Sequence, residues 1–217
     1  MRNENLANVI EQVALTFTDW RPMRHVEDPL HKDLSAVARV GDSLFLACDE
    51  TASVERLHRM MDGSFGNHRH FSLDAFFKLP GGPDGEMDIE GLCVEGGFLW
   101  LVGSHSLKRC KPRRRESEAG EALDRMVDVE REANRFFLGR VPLMEQTPGV
   151  FMPIQSDNER RAASLNFGKK RSALGNWVAD DPHLGAFLKI PSKENGSIWK
   201  VWLCAETACG SGCVGRS

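Results

Sequence analysis

A chain of 217 residues, 41% hydrophobic and 27% charged with a net charge of −3, reads as an ordinary soluble protein of one or two domains. There is no basic excess to suggest a nucleic-acid partner, and a mean hydropathy of −0.36 without a run of about 18 apolar residues argues against a membrane span. The polar start MRNENLANVIEQ lacks the basic-then-apolar pattern of a secretory leader, so a cytoplasmic location is expected.

From Asp33 onward the chain repeats itself. DLSAVARVGDSLFLAC (33–48) lies over DIEGLCVEGGFLWLVG (88–103) without a gap, at an offset of 55. Leu34 falls on Ile89, Val37 on Leu92, Gly41 on Gly96, and Leu44-Phe45-Leu46 on Leu99-Trp100-Leu101. Each copy therefore predicts a strand, a glycine turn and an apolar strand. The first unit is predicted to hold strands at Ala36–Val40, Leu44–Cys48, Val54–Met60 and His68–Leu73, with turns at 41–42, 49–51 and 62–66. In the second, GFLWLVGSHS is followed by a basic run (108–115) and a stretch from about 116 to 134. There Ala119, Ala122, Leu123, Met126, Val127 and Val129 recur at helical spacing. Arg135–Val141 resumes the strand pattern. A third unit, 149–191, carries expected strands at Val150–Ile154, Ala163–Phe167 and Ala186–Ile190 and a short helix at Ser172–Ala179.

A second similarity joins AFFKLP (75–80) to AFLKIP (186–191), offset by 111, about twice the first period. Units of this length with several short strands each are the pattern of propeller blades. The expected fold is all-β, an incomplete β-propeller-like repeat of about three blades with a helical insertion near 116–134.

The tail breaks the pattern. AFFKLP leads into DIEGL, whereas AFLKIPSKENG leads into SIWKVWLCAETACGSGCVGRS, which resembles nothing upstream. Back-translated and read in the shifted frame, that tail permits D-(M/L)-E-G-L-A and then V-R-G-D-R-L-W-V-G-L, a further copy of the motif. One nucleotide lost after the Gly196 codon accounts for this. The expectation is a partial propeller-like domain over 1–196 and an out-of-frame tail over 197–217, in which Cys204, Cys209 and Cys213 are accidental.

DLSAVARVGDSLFLACDE, the glycine-rich turn ahead of DIEGL, GFLWLVGSHSLKR and ADDPHLGAFLKIPSKENG together resemble the bacterial domain-of-unknown-function family 3616, over most of 30–196. That resemblance implies a propeller-like fold and no assigned activity.

DIEGL is the sharpest candidate for chemistry. Asp88 and Glu90 stand two apart at a strand start, so alternation would point both carboxylates to one face. Asp33 holds the same place one unit earlier. Carboxylates converging from several blades can supply the hard oxygen ligands of Ca²⁺. The segment also looks like the DIEG stretch of beta-propeller phytases, which implies calcium in a channel. Against a symmetrical ring, Ser35 replaces the second acid in the first copy; the competing reading has Asp88 and Glu90 capping the preceding turn.

Ser104-His105-Ser106 ends a strand with nucleophile-type and base-type side chains, and His105 is the candidate proton donor or phosphate contact. The basic run Lys108, Arg109, Lys111, Arg113, Arg114 and Arg115 is a candidate anion site. Acidic residues follow it at once and no aromatic interleaves it, so a solvated rim excursion is the plainer reading. His68 and His70 share a strand face, and an ordinary blade edge accounts for them. Nothing completes a catalytic set. The favoured expectation is a binding or scaffold module for an unassigned small molecule or protein, with no nucleic acid or membrane as partner. The rival is a calcium-dependent phosphoester or ester hydrolase at the channel mouth.

Overall fold

Short, β-branched or apolar runs separated by glycine turns form two antiparallel sheets. The computed structural model describes residues 12–18, 33–110, 127–170 and 172–191. The first sheet contains β1 (Leu34–Val40), β2 (Ser43–Cys48), β3 (Ser53–Arg59) and β4 (Phe65–Ser72), in that spatial order. The second begins with β5 (Ile89–Glu95) and β6 (Phe98–Gly103). An excursion follows, containing the two-residue ladder of β7 (Lys108–Arg109) with β8 (Val129–Glu130). The sheet then resumes with β9 (Leu138–Thr147) and β10 (Val150–Pro153), in the order β10-β9-β6-β5, and β11 (Ala163–Ser164) pairs onto β9. The fold is all-β and propeller-like.

The repeat is faithful at the level of hydrogen bonding. The β1–β2 ladder shifts register between Leu34 and Ala36, and the β5–β6 ladder shifts between Ile89 and Gly91, the same places in the two copies. Each inner hairpin turns on a left-handed glycine, Gly41 at φ +55° and Gly96 at φ +58°. These two glycines do different work. At Gly96 an added Cβ would meet nothing, whereas at Gly41 it would lie 2.6 Å from the Gly149 carbonyl oxygen. The β1–β2 turn is docked there on the β9–β10 turn, with Asp42 N–H donating to Gly149 O at 2.8 Å. Phe151 N–H donates to Ser43 Oγ at 2.8 Å beside it.

Apolar faces of the two sheets meet in one core. Phe45, Ala47 and Val54 come from the first sheet, and Ile89, Leu92, Leu99 and Leu101 from the second. Phe137 is fully buried at its centre and meets Phe77 and Phe167 edge to face, with centroids 4.8 and 5.2 Å away. The opposite face of the first sheet buries Leu46, Leu57 and Phe65, with Phe17 packed against them. Residues 14–16 run parallel to β4 there, Phe65 N–H donating to Ala14 O and Thr16 N–H to Phe65 O.

The segment joining the two sheets makes a 3₁₀ turn at Leu73–Ala75, and its sequence copy makes another at Gly185–Lys189. Their surroundings differ. Leu73 is 1% exposed between the sheets, whereas Leu184, at the same place in the copy, is 45% exposed.

Several sequence expectations change here. Ala186–Ile190 is the 3₁₀ turn just described rather than a strand, because Phe187 and Ile190 N–H groups bond three residues back, to Leu184 and Phe187. Val150–Pro153 and Ala163–Ser164 join the second sheet instead of forming a third, and strand pairing at the latter stops after two residues. The helical reading of 116–134 ends sooner than expected: Val127 is helical, but Val129–Glu130 pairs with Lys108–Arg109, and Ala133–Phe136 is a 3₁₀ turn with all four residues buried. Residues 116–126 of that stretch lie outside the described residues, as does the whole of 197–217. The short helix α1 (Ala173–Ala179) forms as expected, with Ser172 Oγ accepting from Gly175 N–H at 3.1 Å as its N-cap. Among the described residues no helix is long and apolar enough to cross a membrane.

Gly41→Ala is expected to lower stability by about 1–3 kcal/mol, through left-handed strain and the lost turn docking. Gly96→Ala is expected to cost about 1 kcal/mol, from the backbone alone. Urea unfolding of both variants checks this, and equal losses would show that Gly41 does not serve the docking.

Candidate functional site

The end of β6 and the start of β5 lie side by side, so Ser104–Ser106 and Glu86–Asp88 share one rim of the second sheet. Gly103 permits a close crossing there: a Cβ on it would stand 2.5 Å from the Arg135 carbonyl oxygen. Across that crossing, Gly103 N–H donates to Phe137 O and His105 N–H to Arg135 O, each at 2.9 Å. The returning excursion thereby drives Arg135 into the rim.

Arg135 is nearly buried and fully engaged. Its Nε donates to Ser104 Oγ at 3.1 Å, Nη2 to Ser106 Oγ at 2.6 Å, and Nη1 to Glu86 Oε1 at 2.6 Å. Nη2 also forms an ion pair with Asp88 Oδ2. The two serine hydroxyls are hydrogen-bonded to one another at 2.9 Å. Glu86 extends the network to Lys108, 2.8 Å away, and Lys108 also pairs with Glu132 at 3.1 Å. Burial pushes the Lys108 ammonium down, but Glu86 and Glu132 outweigh it and hold the pKa above its usual value. Next to Arg135, Asn134 staples the turn before DIEGL: Oδ1 accepts from Gly81 N–H, and Nδ2 donates to Gly82 O and Gly85 O.

This geometry places the predicted residues that fall among those described. Asp88 sits at φ +51°, ahead of the register shift between Ile89 and Gly91, so the alternation meant to align it with Glu90 is broken. Asp88 is buried on Arg135 and Glu90 is half-buried. Backbone bonds link the inner-strand starts, Asp49 N–H to Asp33 O and Asp88 N–H to Asp49 O. Ser35, in the place of Glu90, donates to Ile89 O at 2.5 Å and ties β1 to β5. Asp88 thus gives its carboxylate to a guanidinium, which does not fit a shared cation as the side chains stand. Among the described residues, no group of three or more His, Cys, Asp or Glu is arranged to hold a metal ion.

His105 is also left-handed, at φ +51°, and buried. Its Nε2 donates to Phe137 O at 3.0 Å, since a carbonyl can only accept, and its ring meets Phe136 edge to face. Burial lowers its pKa to about 4, overriding the carbonyl bond, and Arg131 adds a smaller push in the same direction. Arg109 donates to Val127 O across the β7–β8 ladder. Lys111, Arg113, Arg114 and Arg115 lie outside the described residues.

The family model for a protein of unknown function, DUF3616, matches residues 33–198. The chain belongs to the DUF3616 family. No curated protein and no solved structure matches it. The DUF3616 match spans both sheets and the Arg135 network.

A second polar cluster of this DUF3616 chain joins the expected same-face pair His68 and His70 to Glu55, which the sequence reading did not single out. Glu55, 1% exposed, accepts from His68 Nε2 at 2.7 Å, His70 Nδ1 at 2.8 Å and Ser53 Oγ at 3.0 Å. Thr18 N–H donates to the other His68 nitrogen at 3.4 Å. Burial raises the Glu55 pKa, but hydrogen bonds and attraction from the two imidazoles prevail and hold it below the ordinary glutamate range. The signal was a lone acid in the strand SVERLHR, opposite a strand with two same-face histidines.

Arg135→Met strands Asp88 without its cation and leaves Glu86 with Lys108 alone, and is expected to destabilise by about 3–5 kcal/mol in chemical denaturation. The pH profile carries a separate signature. Unfolded His105 takes up a proton below about pH 6.5 and the folded residue only near pH 4, so stability falls as pH drops through that window. The loss amounts to about 3 kcal/mol. His105→Asn keeps a donor and tolerates the left-handed backbone, so its pH profile should be flatter between pH 4 and 6.5; an unchanged slope would refute the assignment.

Proposed function

We propose that this DUF3616 chain is a binding or scaffold module for a small-molecule or protein ligand, working in the cytoplasm and without a nucleic-acid or membrane partner. The observation that carries this reading is the Arg135 network. The groups that a hydrolase at this rim would need are already engaged: Asp88, Ser104 and Ser106 by Arg135, Lys108 by Glu86 and Glu132, and His105 Nε2 by a backbone carbonyl. Such a cluster sets the shape of the rim rather than acting on a substrate. Cys48, Cys93 and Cys110 are thiols, which agrees with a reducing compartment. A partial propeller-like domain over 1–196 with an out-of-frame tail over 197–217 is part of the same proposal, and the family match over 33–198 ends close to that boundary.

Calcium is the cation to test, since Asp33 and Glu90 remain half-buried carboxylates near the starts of neighbouring strands. Binding there with Asp88 would require Arg135 to release it. The expected outcome is no turnover of phosphate or carboxylate esters with or without millimolar Ca²⁺, and no calcium-dependent rise in Tm. Turnover that vanishes in His105→Asn would overturn the module reading in favour of a hydrolase.

A further inference from the structure

Arg56 is 3% exposed, yet among the described residues its Nε has no hydrogen-bond partner and no carboxylate forms an ion pair with it. This contrasts with Arg135, whose guanidinium meets two carboxylates and two hydroxyls. Arg131 also has a buried Nε without a partner, but its guanidinium lies 3.3 Å over the Phe136 ring. A cation removed from water without compensation costs several kcal/mol.

The neighbour of Arg56 makes the imbalance larger. Arg69 of β4 stands directly opposite it in the β3–β4 ladder, so both side chains leave the same face of the sheet. Phe45, opposite Arg56 on β2, lies in the core, so this is the face turned toward the second sheet. Like charges directly opposite on neighbouring strands repel. Burial, and then the Arg69 charge, pull the Arg56 guanidinium below its usual pKa. Arg69 is exposed, so the pair runs from solvent at β4 into the interior at β3.

We infer that Arg56 and Arg69 form a binding site for an oxyanion, a phosphate or carboxylate group, which enters at Arg69 and is held by Arg56. Two planar guanidinium forks offer the paired donors that such groups accept. A bound anion would relieve both the repulsion across the ladder and the uncompensated burial. The site stands on these residues alone, apart from the module reading above. It also lies away from the basic run, where Lys108 is already neutralised by Glu86 and Glu132.

The test titrates the full chain with sodium phosphate, sulfate or acetate against sodium chloride at matched ionic strength, following Tm and calorimetric heat. Phosphate or acetate should raise Tm saturably, by about 5 °C or more at a hundredfold excess over Kd, and the arm that saturates distinguishes phosphate from carboxylate. Arg56→Met should abolish that rise while its own Tm in chloride equals or exceeds that of the unsubstituted chain, because a buried charge without a partner has been removed. Arg69→Met should weaken the anion at least tenfold. Three results overturn the site: no response beyond chloride, an unsaturating rise shared by Arg56→Met, or an Arg56→Met chain that melts well below the parent in chloride.

Discussion

One guanidinium organises the second sheet. Arg135 reaches the rim only because the chain leaves after β6, travels through the β7–β8 ladder and returns across Gly103. Once there, it satisfies groups on both sides of the crossing, and its neighbour Asn134 fixes the turn ahead of β5. The start of β5, the end of β6 and the start of β9 are thus one hydrogen-bonded unit. Two residues within it, Asp88 and His105, hold a left-handed backbone that L side chains adopt at a cost, and such conformations persist where the surroundings over-determine them. The network supplies that constraint: Asp88 is held by its ion pair and by Asp49 O, and His105 by the carbonyls of Arg135 and Phe137.

The buried polar groups of the first sheet divide by face. On the face toward residues 14–18, Glu55 accepts three hydrogen bonds and the cluster is balanced. On the face toward the second sheet, Arg56 stands against Arg69. A fully connected polar cluster rigidifies a fold, whereas an unconnected charge leaves an electrostatic demand that another group must meet. Satisfied clusters and unmet ones therefore mark different kinds of places in this molecule.

The repeat made much of the architecture legible. An offset found in the letters alone placed β1, β2, β5 and β6 to within two residues and extends to the position of the register shift, because alternation and glycine turns are local properties. What stayed hidden was non-local or locally irregular. Arg135 lies 49 residues from Glu86, and nothing in RFFLGRV distinguishes an arginine that plugs a rim from one that points to water. Asp88 and Glu90 were legible as a pair but not as a separated pair, since a bulge breaks the period on which the reading depended. Apolar spacing suggested a helix to residue 134, yet Val129 is exposed and from there the chain is drawn into a ladder and a 3₁₀ turn.

The two copies of the Leu-x-Ala-Phe turn have one further consequence. Both make the same 3₁₀ conformation, so that conformation follows from the local sequence, while the burial of Leu73 and the exposure of Leu184 follow from what lies alongside. In a protein built of stacked units, cohesion resides between neighbours as well as within each unit. The chain should therefore open in a graded order under native conditions. Amide hydrogens around Gly185–Lys189 would exchange with solvent by local opening, while those around Leu73–Ala75 would await separation of the two sheets.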